Sequence, residues 1–299
     1  MTVSSVTRGR KLPITAFIAV KNESANLPRC LSAAAMVERV IVVDSHSTDS
    51  TLEIARSAGA EVVQFEYGGG YPKKRQWALE SVGVTTPWVM LLDADEVVPP
   101  PLWAEIERAI SPGTAPDAFL VMKAFHFLGR KFRWGGFSHS AVALFRTGKA
   151  RFERLFDDGP DGLDMEVHER VLVDGAVGRL MTPLIHQDFK GLEAYIERHN
   201  KYSTWEARLR HRYLTSGKYG EETIASRLLG NSQERRRFLK AVIVRLPVES
   251  QLWFVYHFVL RLGFLEGRRG LIACQIRASY IAQVRAKVFE LQLLGTLQR

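Results

Sequence analysis

The sequence predicts an α/β fold, a Rossmann-like and mostly parallel sheet with helices on both faces. Three observations carry this. Short, nearly continuously apolar runs alternate with helical patterns through the first 110 residues, as strands buried on both faces do. Each of four such runs ends in a polar or acidic cluster. The chain has 299 residues and is 46% hydrophobic, enough to bury a sizeable core.

Ile14–Val20 is the first predicted strand, followed by a helix over Leu27–Met36. Val40–Asp44 is the second, and "SHSTDS" supplies capping residues for a helix over Thr51–Ala58. Glu61–Phe65 is the third, and Pro72 suits the first turn of a helix running to Val82. Trp88–Asp93 is the fourth, with a helix over Pro100–Ile110 beyond Pro99–Pro101. In such sheets ligands bind beyond the carboxyl ends of the strands. There the chain places Lys21-Asn22-Glu23, Asp44 to Asp49, Gly68 to Arg75, and Asp93-Ala94-Asp95-Glu96.

These residue types suit a nucleotide diphosphate. Asp93 and Asp95 are hard oxygen ligands of the kind that bind Mg²⁺ or Mn²⁺ jointly with substrate phosphates. Asp44 can accept a hydrogen bond from a base ring N–H. Lys73, Lys74 and Arg75 open a helix, whose free N–H groups also favour anions. The bland readings are a cap for Asp44, a solvated basic helix start for the three cations, and a flexible connector for Gly68–Gly70.

The segments "AVKNESANLPRCL", "VIVVDSHSTDST", "GYPKKRQWAL" and "MLLDADE" together resemble the nucleotide-sugar half of the family-2 inverting glycosyltransferases. The resemblance implies the GT-A fold and an Mn²⁺ or Mg²⁺ cofactor. It implies Asp44 on the base, usually uracil, Asp93 on the ribose or metal, and Asp95 as the principal metal ligand. Val20, Asn22, Glu23, Ser45, Lys73, Arg75 and Ala94 complete the implied nucleotide-sugar contacts. Ser45-His46 departs from the commoner "VDDGSTD" form.

Residues 118–190 change character. "AFLVMKAFHF" and "SAVALFR" read as strands, and "VLVDGAVGRL" as a hairpin turning at Asp174-Gly175. Inverting transfer needs a base for the acceptor hydroxyl, and a carboxylate suits that task. "DGLDMEVHERV" offers Glu169 first, then Glu166 and Asp164, with His168 to orient acceptor or base. The ordinary alternative for Glu169 is a pair with Arg170 or Arg179. "VHE", with "GRLMTPLIHQDFKGLEAYIERHNKY", resembles a branch of the family that builds lipopolysaccharide cores and envelope polysaccharides. His186 is a candidate to complete the metal site, or a packed residue. "FLGRKFRWGGFSHS", with Arg133 and Trp134, reads as an acceptor loop or as a plain exposed one.

The expected organisation is an N-terminal arm over 1–12, without the apolar core of a signal peptide, a catalytic domain over 13–190 and a basic helical region over 191–299. The catalytic domain divides into a nucleotide-sugar half (13–110) and an acceptor half (111–190). Residues 198–299 carry 19 Lys and Arg against 7 Asp and Glu, while the remainder is mildly acidic. That charge suggests an anionic partner. Leu192–Arg212 reads as a long helix. Leu252–Leu260 is very apolar, but too short and too interrupted to span a bilayer. Apolar helices bordered by arginines fit in-plane attachment to an anionic leaflet. Ile272, Ile276, Tyr280, Val284 and Val288 form one helical stripe, for packing, attachment or an oligomer interface. Cys30 and Cys274 read as buried thiols in a reducing compartment.

Function is expected to be metal-dependent inverting sugar transfer from a nucleotide diphosphate, such as a UDP-sugar. The acceptor would be lipid-linked or a lipopolysaccharide core at the inner membrane face, with no nucleic-acid partner. The alternatives are a nucleotidyltransferase on a related fold and a non-catalytic basic protein holding membrane or nucleic acid.

Overall fold

The computed structural model describes residues 11–111, 113, 115–155, 163–167, 169–222, 226–230 and 232–297. The expected N-terminal arm lies outside them, apart from its last two positions. Strand β1 already begins at Leu12 and runs to Val20. Helix α1 (Leu27–Ala33) and strand β2 (Val37–Asp44) follow, then α2 (Thr51–Ser57) and β3 (Glu61–Gln64). Helix α3 covers Lys74–Ser81, two residues later than Pro72 suggests, and β4 covers Trp88–Asp93. A two-residue β5 (Glu96–Val97) and α4 (Pro100–Ala109) complete this half.

These four main strands are parallel, in the order β3-β2-β1-β4. Sequence alternation decides which helices cover which face. Ile14, Ala16, Ile18 and Val20 of β1 pack with Met90 and Leu92 and with Leu27 and Leu102 of α1 and α4. Phe17 points the other way, with Val43, Val89, Leu91 and Ala78 of α3. Because β1 is flanked by the strand after it on one side and by β4 on the other, the ends of β1 and β4 form a switch point.

Beyond α4 the sheet becomes mixed. Strand β6 (Ala118–Phe127) pairs with a short β7 (Arg130–Lys131) and with β8 (His139–Arg146), and β8 runs antiparallel to β4. Short strands β9 (Ala150–Phe152) and β10 (Arg154–Leu155) leave this sheet. The expected hairpin over Val171–Arg179 does not form. Its first arm, β11 (Val171–Val173), pairs with β9, and its second, β12 (Val177–Arg179), runs parallel to β6. Asp117 separates the arms by accepting the Ala176 N–H, while Asp117 and Ala118 N–H groups donate to the Ala176 carbonyl. Strand β13 (Leu184–His186) bridges β6 and β5.

The C-terminal part starts with α5 (Gly191–Ser216), whose Gly217 closes the helix in the left-handed conformation at φ 74°. Strand β14 (Gly220–Glu222) pairs back onto β10. Then come α6 (Ser232–Ile243), α7 (Glu249–Val255), a π-helical turn over Tyr256–Leu260, a 3-10 turn over Gly263–Glu266, and α8 (Gly267–Leu297). Tyr280, Val284 and Val288 of the predicted stripe bury against Ala207 of α5, so this part of the stripe serves internal packing. Ile272 and Ile276 pack against Phe127 and Phe132. Buried Arg210 pairs with Glu206 at 2.9 Å and Glu249 at 2.8 Å, tying α7 to α5. Both cysteines are buried free thiols. Among the described residues, no helix is long and apolar enough to cross a membrane.

Candidate active site

A cleft of about 1090 Å³ opens beyond the ends of β1 and β4. Asp93, Ala94 and Asp95 line one side of it, with Glu23, Arg75, Lys123 and His186. Register explains the gathering. Ala19 of β1 stands opposite Asp93, and His186 of β13 opposite Glu96. The Asp95 carbonyl also accepts the Gln187 N–H at 2.9 Å.

The acids have separate tasks. Asp93 is held by the Arg75 guanidinium and by Lys123, whose Nζ lies 3.1 Å from Oδ2. Burial opposes ionisation of Asp93, but these two cations hold it well below the usual carboxylate range. Glu96 is fully buried, 2.5 Å from the Lys123 ammonium, and accepts the Asp93 N–H at 3.0 Å. Burial raises its pKa against the pull of Lys123. Glu96 therefore braces the turn from behind and lies outside the cleft wall.

Asp95 is the acid turned toward His186, with Oδ2 and Nε2 3.1 Å apart. Burial would lower the His186 pKa, but the hydrogen bond and charge of Asp95 push it up to about 9. Asp95 Oδ2 and His186 Nε2 meet at the cleft wall, and a carboxylate with an imidazole would suit Mn²⁺ once the imidazole gives up the proton it shares with Asp95. Among the described residues no group of three or more His, Cys, Asp or Glu forms a metal cage. A Mg²⁺-type site requires none, since substrate phosphates and water supply its remaining ligands. Asp93 is already engaged by two cations and is the poorer donor.

The basic start of α3 is folded inward. Lys73 is buried, 2.7 Å from Glu169 and 4.4 Å above the Trp205 ring. Lys74 donates to the Val20 carbonyl at 2.8 Å and lies 3.2 Å from Asp164. Arg75 donates to the Glu166 carbonyl as well as to Asp93. These cations, expected at phosphates, thus hold carboxylates and backbone in place; only Arg75 lines the cleft.

Of the expected bases, Glu166 accepts the Arg75 and Gln76 N–H groups at 3.0 and 2.9 Å, capping α3 from another part of the chain. Glu169 lines the cleft, held by Lys73 and the Val167 N–H. Asp164 sits beside Lys74, away from the cleft lining. His168 lies outside the described residues.

The remaining sequence candidates divide in the same way. Asp44 is buried, its oxygens taken by the Ser47 hydroxyl and N–H, and Ser45 is buried beside it. Asn22 binds Ser47 and Thr48 across the loop. Glu23 pairs with Lys190 at 2.5 Å at the cleft edge. Arg133 and Trp134 do not line the cleft; their N–H groups donate to Glu266 at 2.6 and 2.8 Å.

Sequence reasoning missed Lys123 and the far wall. That wall is one face of α5, with Tyr195, Arg198, His199 and Tyr202, joined by Asp188 and by Arg277 of α8. Arg198 pairs with Asp188 at 2.7 Å, and His199 stacks on Tyr195 at 3.9 Å. Their three- and four-residue spacing was a readable signal of one helix face. For Lys123 the signal was a lone charge in an apolar strand.

A family model described as glycosyl transferase family 2 matches residues 15–155. An uncharacterized glycosyltransferase of Rickettsia felis is 42% identical over 276 residues, 89% of this chain and 85% of its own length. The chain belongs to glycosyltransferase family 2. This glycosyltransferase is also 27% identical over 288 residues to the lipopolysaccharide core biosynthesis glycosyltransferase LpsC of Rhizobium meliloti, covering 92% of this chain and 94% of that one. A solved glucosyl-3-phosphoglycerate synthase of Mycobacterium tuberculosis shares 23% identity at a TM-score of 0.31, over 38% of this chain and 44% of its own. A likeness that slight bears no weight. Family membership makes this glycosyltransferase an enzyme, which sets aside the binding-only and nucleotidyltransferase readings.

Proposed function

We propose that this glycosyltransferase moves a sugar, with inversion, from a UDP-sugar to a lipid-linked or lipopolysaccharide-core acceptor at the inner membrane face. The Asp95–His186 pair beside the braced Asp93, at the switch-point cleft, supports it most. The relationship to a lipopolysaccharide core enzyme supports the acceptor class.

Asp95 and His186 would hold Mn²⁺ or Mg²⁺, which when bound supplies positive charge for the departing diphosphate. Arg75 and Lys123 keep Asp93 ionised and fixed in position. Glu169 is the proposed base, taking the acceptor hydroxyl proton on a carboxylate oxygen. Among the three acids it alone both lines the cleft and has no helix cap to maintain. The aromatic and basic face of α5 receives the acceptor opposite the acids.

The test incubates protein with UDP-sugars, Mn²⁺ and membrane-extracted glycolipid. Transfer is expected to fall by about a hundredfold or more in Asp95→Ala. Undiminished transfer by that variant would sink the metal assignment. Glu169→Gln is expected to lose about a hundredfold in transfer, whereas Glu166→Gln keeps most of it.

A further inference from the structure

Between Arg235 and Phe289 the chain has eleven basic residues and two acids, Glu249 and Glu266. Both acids are buried and ion-paired, Glu249 with Arg210 and Glu266 with Arg130. Among the described residues of this stretch, the exposed charges are therefore basic, Arg235, Arg261, Arg268 and Arg269 among them. It is also strongly apolar. Val255, Val259, Leu260, Phe264 and Leu265 are all exposed, Leu260 at 69%. Large contiguous apolar surface is rare on soluble monomers and marks an interaction site. Arg261, Arg268 and Arg269 are exposed around it.

This surface is joined to the loop that leads out of the cleft. Glu266 accepts the N–H groups of Arg133 and Trp134. The Arg261 carbonyl accepts the Gly135 N–H at 2.8 Å, and His257 Nδ1 lies 2.6 Å from the Gly135 carbonyl. Leu128 and Gly129 line the cleft mouth, and Leu128 and Trp134 are exposed. The loop bonded to the apolar turns thus also reaches the cleft, with Arg130, Lys131 and Arg133 exposed along it.

We infer that residues 252–265 and the loop 128–134 form one docking face for an anionic bilayer, and that this face presents a bilayer-resident acceptor to the cleft. Apolar side chains enter the headgroup boundary while arginines meet anionic lipid. The loop then lies at the membrane plane, and an acceptor hydroxyl reaches the cleft without leaving the bilayer. The acceptor part rests on the lipid-linked acceptor proposed above; the docking face does not.

The test is co-sedimentation of the full chain with phosphatidylglycerol or phosphatidylcholine vesicles, comparing wild type with Leu260→Asp/Phe264→Asp. Binding of UDP with Mn²⁺ is followed in parallel by calorimetry. Wild type is expected to sediment with phosphatidylglycerol vesicles, and the double variant to partition on the order of a hundredfold more weakly. Its UDP binding is expected to be unchanged. Transfer to vesicle-embedded glycolipid should fall with vesicle binding, while UDP-sugar hydrolysis in vesicle-free buffer stays constant. Equal sedimentation of the two proteins, or of wild type with both lipids, overturns the inference. So does a wild-type dimer, dissociated by the substitutions, that ignores vesicles. Vesicle binding as expected without UDP binding leaves the docking face standing and removes the UDP-sugar reading instead.

Discussion

Lys123 is the residue on which the acidic turn depends most. It stands between Asp93 and Glu96, and burial would lower its pKa were those two carboxylates not holding it above the usual lysine value. Lys123→Met leaves Glu96 buried without its cation. Breaking such a pair costs about 3–5 kcal/mol, so a matching loss is expected in urea denaturation. Lys123→Met/Glu96→Gln removes the stranded charge and should recover part of it. His199 carries a pH signature. Burial holds its pKa down at about 4 despite the bond to the Tyr195 carbonyl, against about 6.5 unfolded. Its neutral form therefore contributes stability that is complete above pH 6.5 and is lost as pH falls toward 4. Thermal midpoints across that window should drop more steeply for wild type than for His199→Gln. Neither residue's role could be read from the sequence. A lone lysine in "AFLVMKAFHF" announces an exception, but its partners belong to a different strand.

At the scale of elements, the four main strands and four helices of the first half were legible, with ends displaced by up to three residues, as at β2, which begins at Val37 rather than Val40. Strands β1 to β4 are apolar runs with clear ends, and local pattern decided them. The segment "VLVDGAVGRL" misled because Asp-Gly between alternating residues is a local hairpin signal, whereas Asp117, far away in sequence, sends the two arms to different strands. The helix start at Lys73–Arg75 was legible only in part: three cations in a row announce anions, and Glu169, Asp164 and Asp93, distant in sequence, stand against them. Glu166 shows what such long-range pairing does for an element. It caps two N–H groups of α3 that no nearby side chain caps. Glu166→Ala should lower stability by about 1–3 kcal/mol, and Glu166→Gln by less, because one acceptor oxygen remains. Calorimetric unfolding of the two variants checks this ordering.

Across the whole molecule, the contrast between an acidic front and a basic C-terminal third was plain from composition, but its geometry was not. Helix α5 belongs to both, forming a cleft wall with Tyr195 and Tyr202 and anchoring α7 and α8 through Arg210 and Ala207. Arg210→Leu would leave Glu206 and Glu249 buried without their shared cation, and is expected to cost about 3–5 kcal/mol. Limited proteolysis should then cut first near α7. The pairing of β13 with β5 has another consequence. The segment shared with the family model ends at residue 155, yet His186 reaches Asp95 only because β13 lies beside Glu96–Val97. A protein shortened to residue 155 would keep both aspartates and the two cations on Asp93, but would lack the imidazole that faces Asp95. The segment that defines the family thus carries only half of the proposed metal-holding pair.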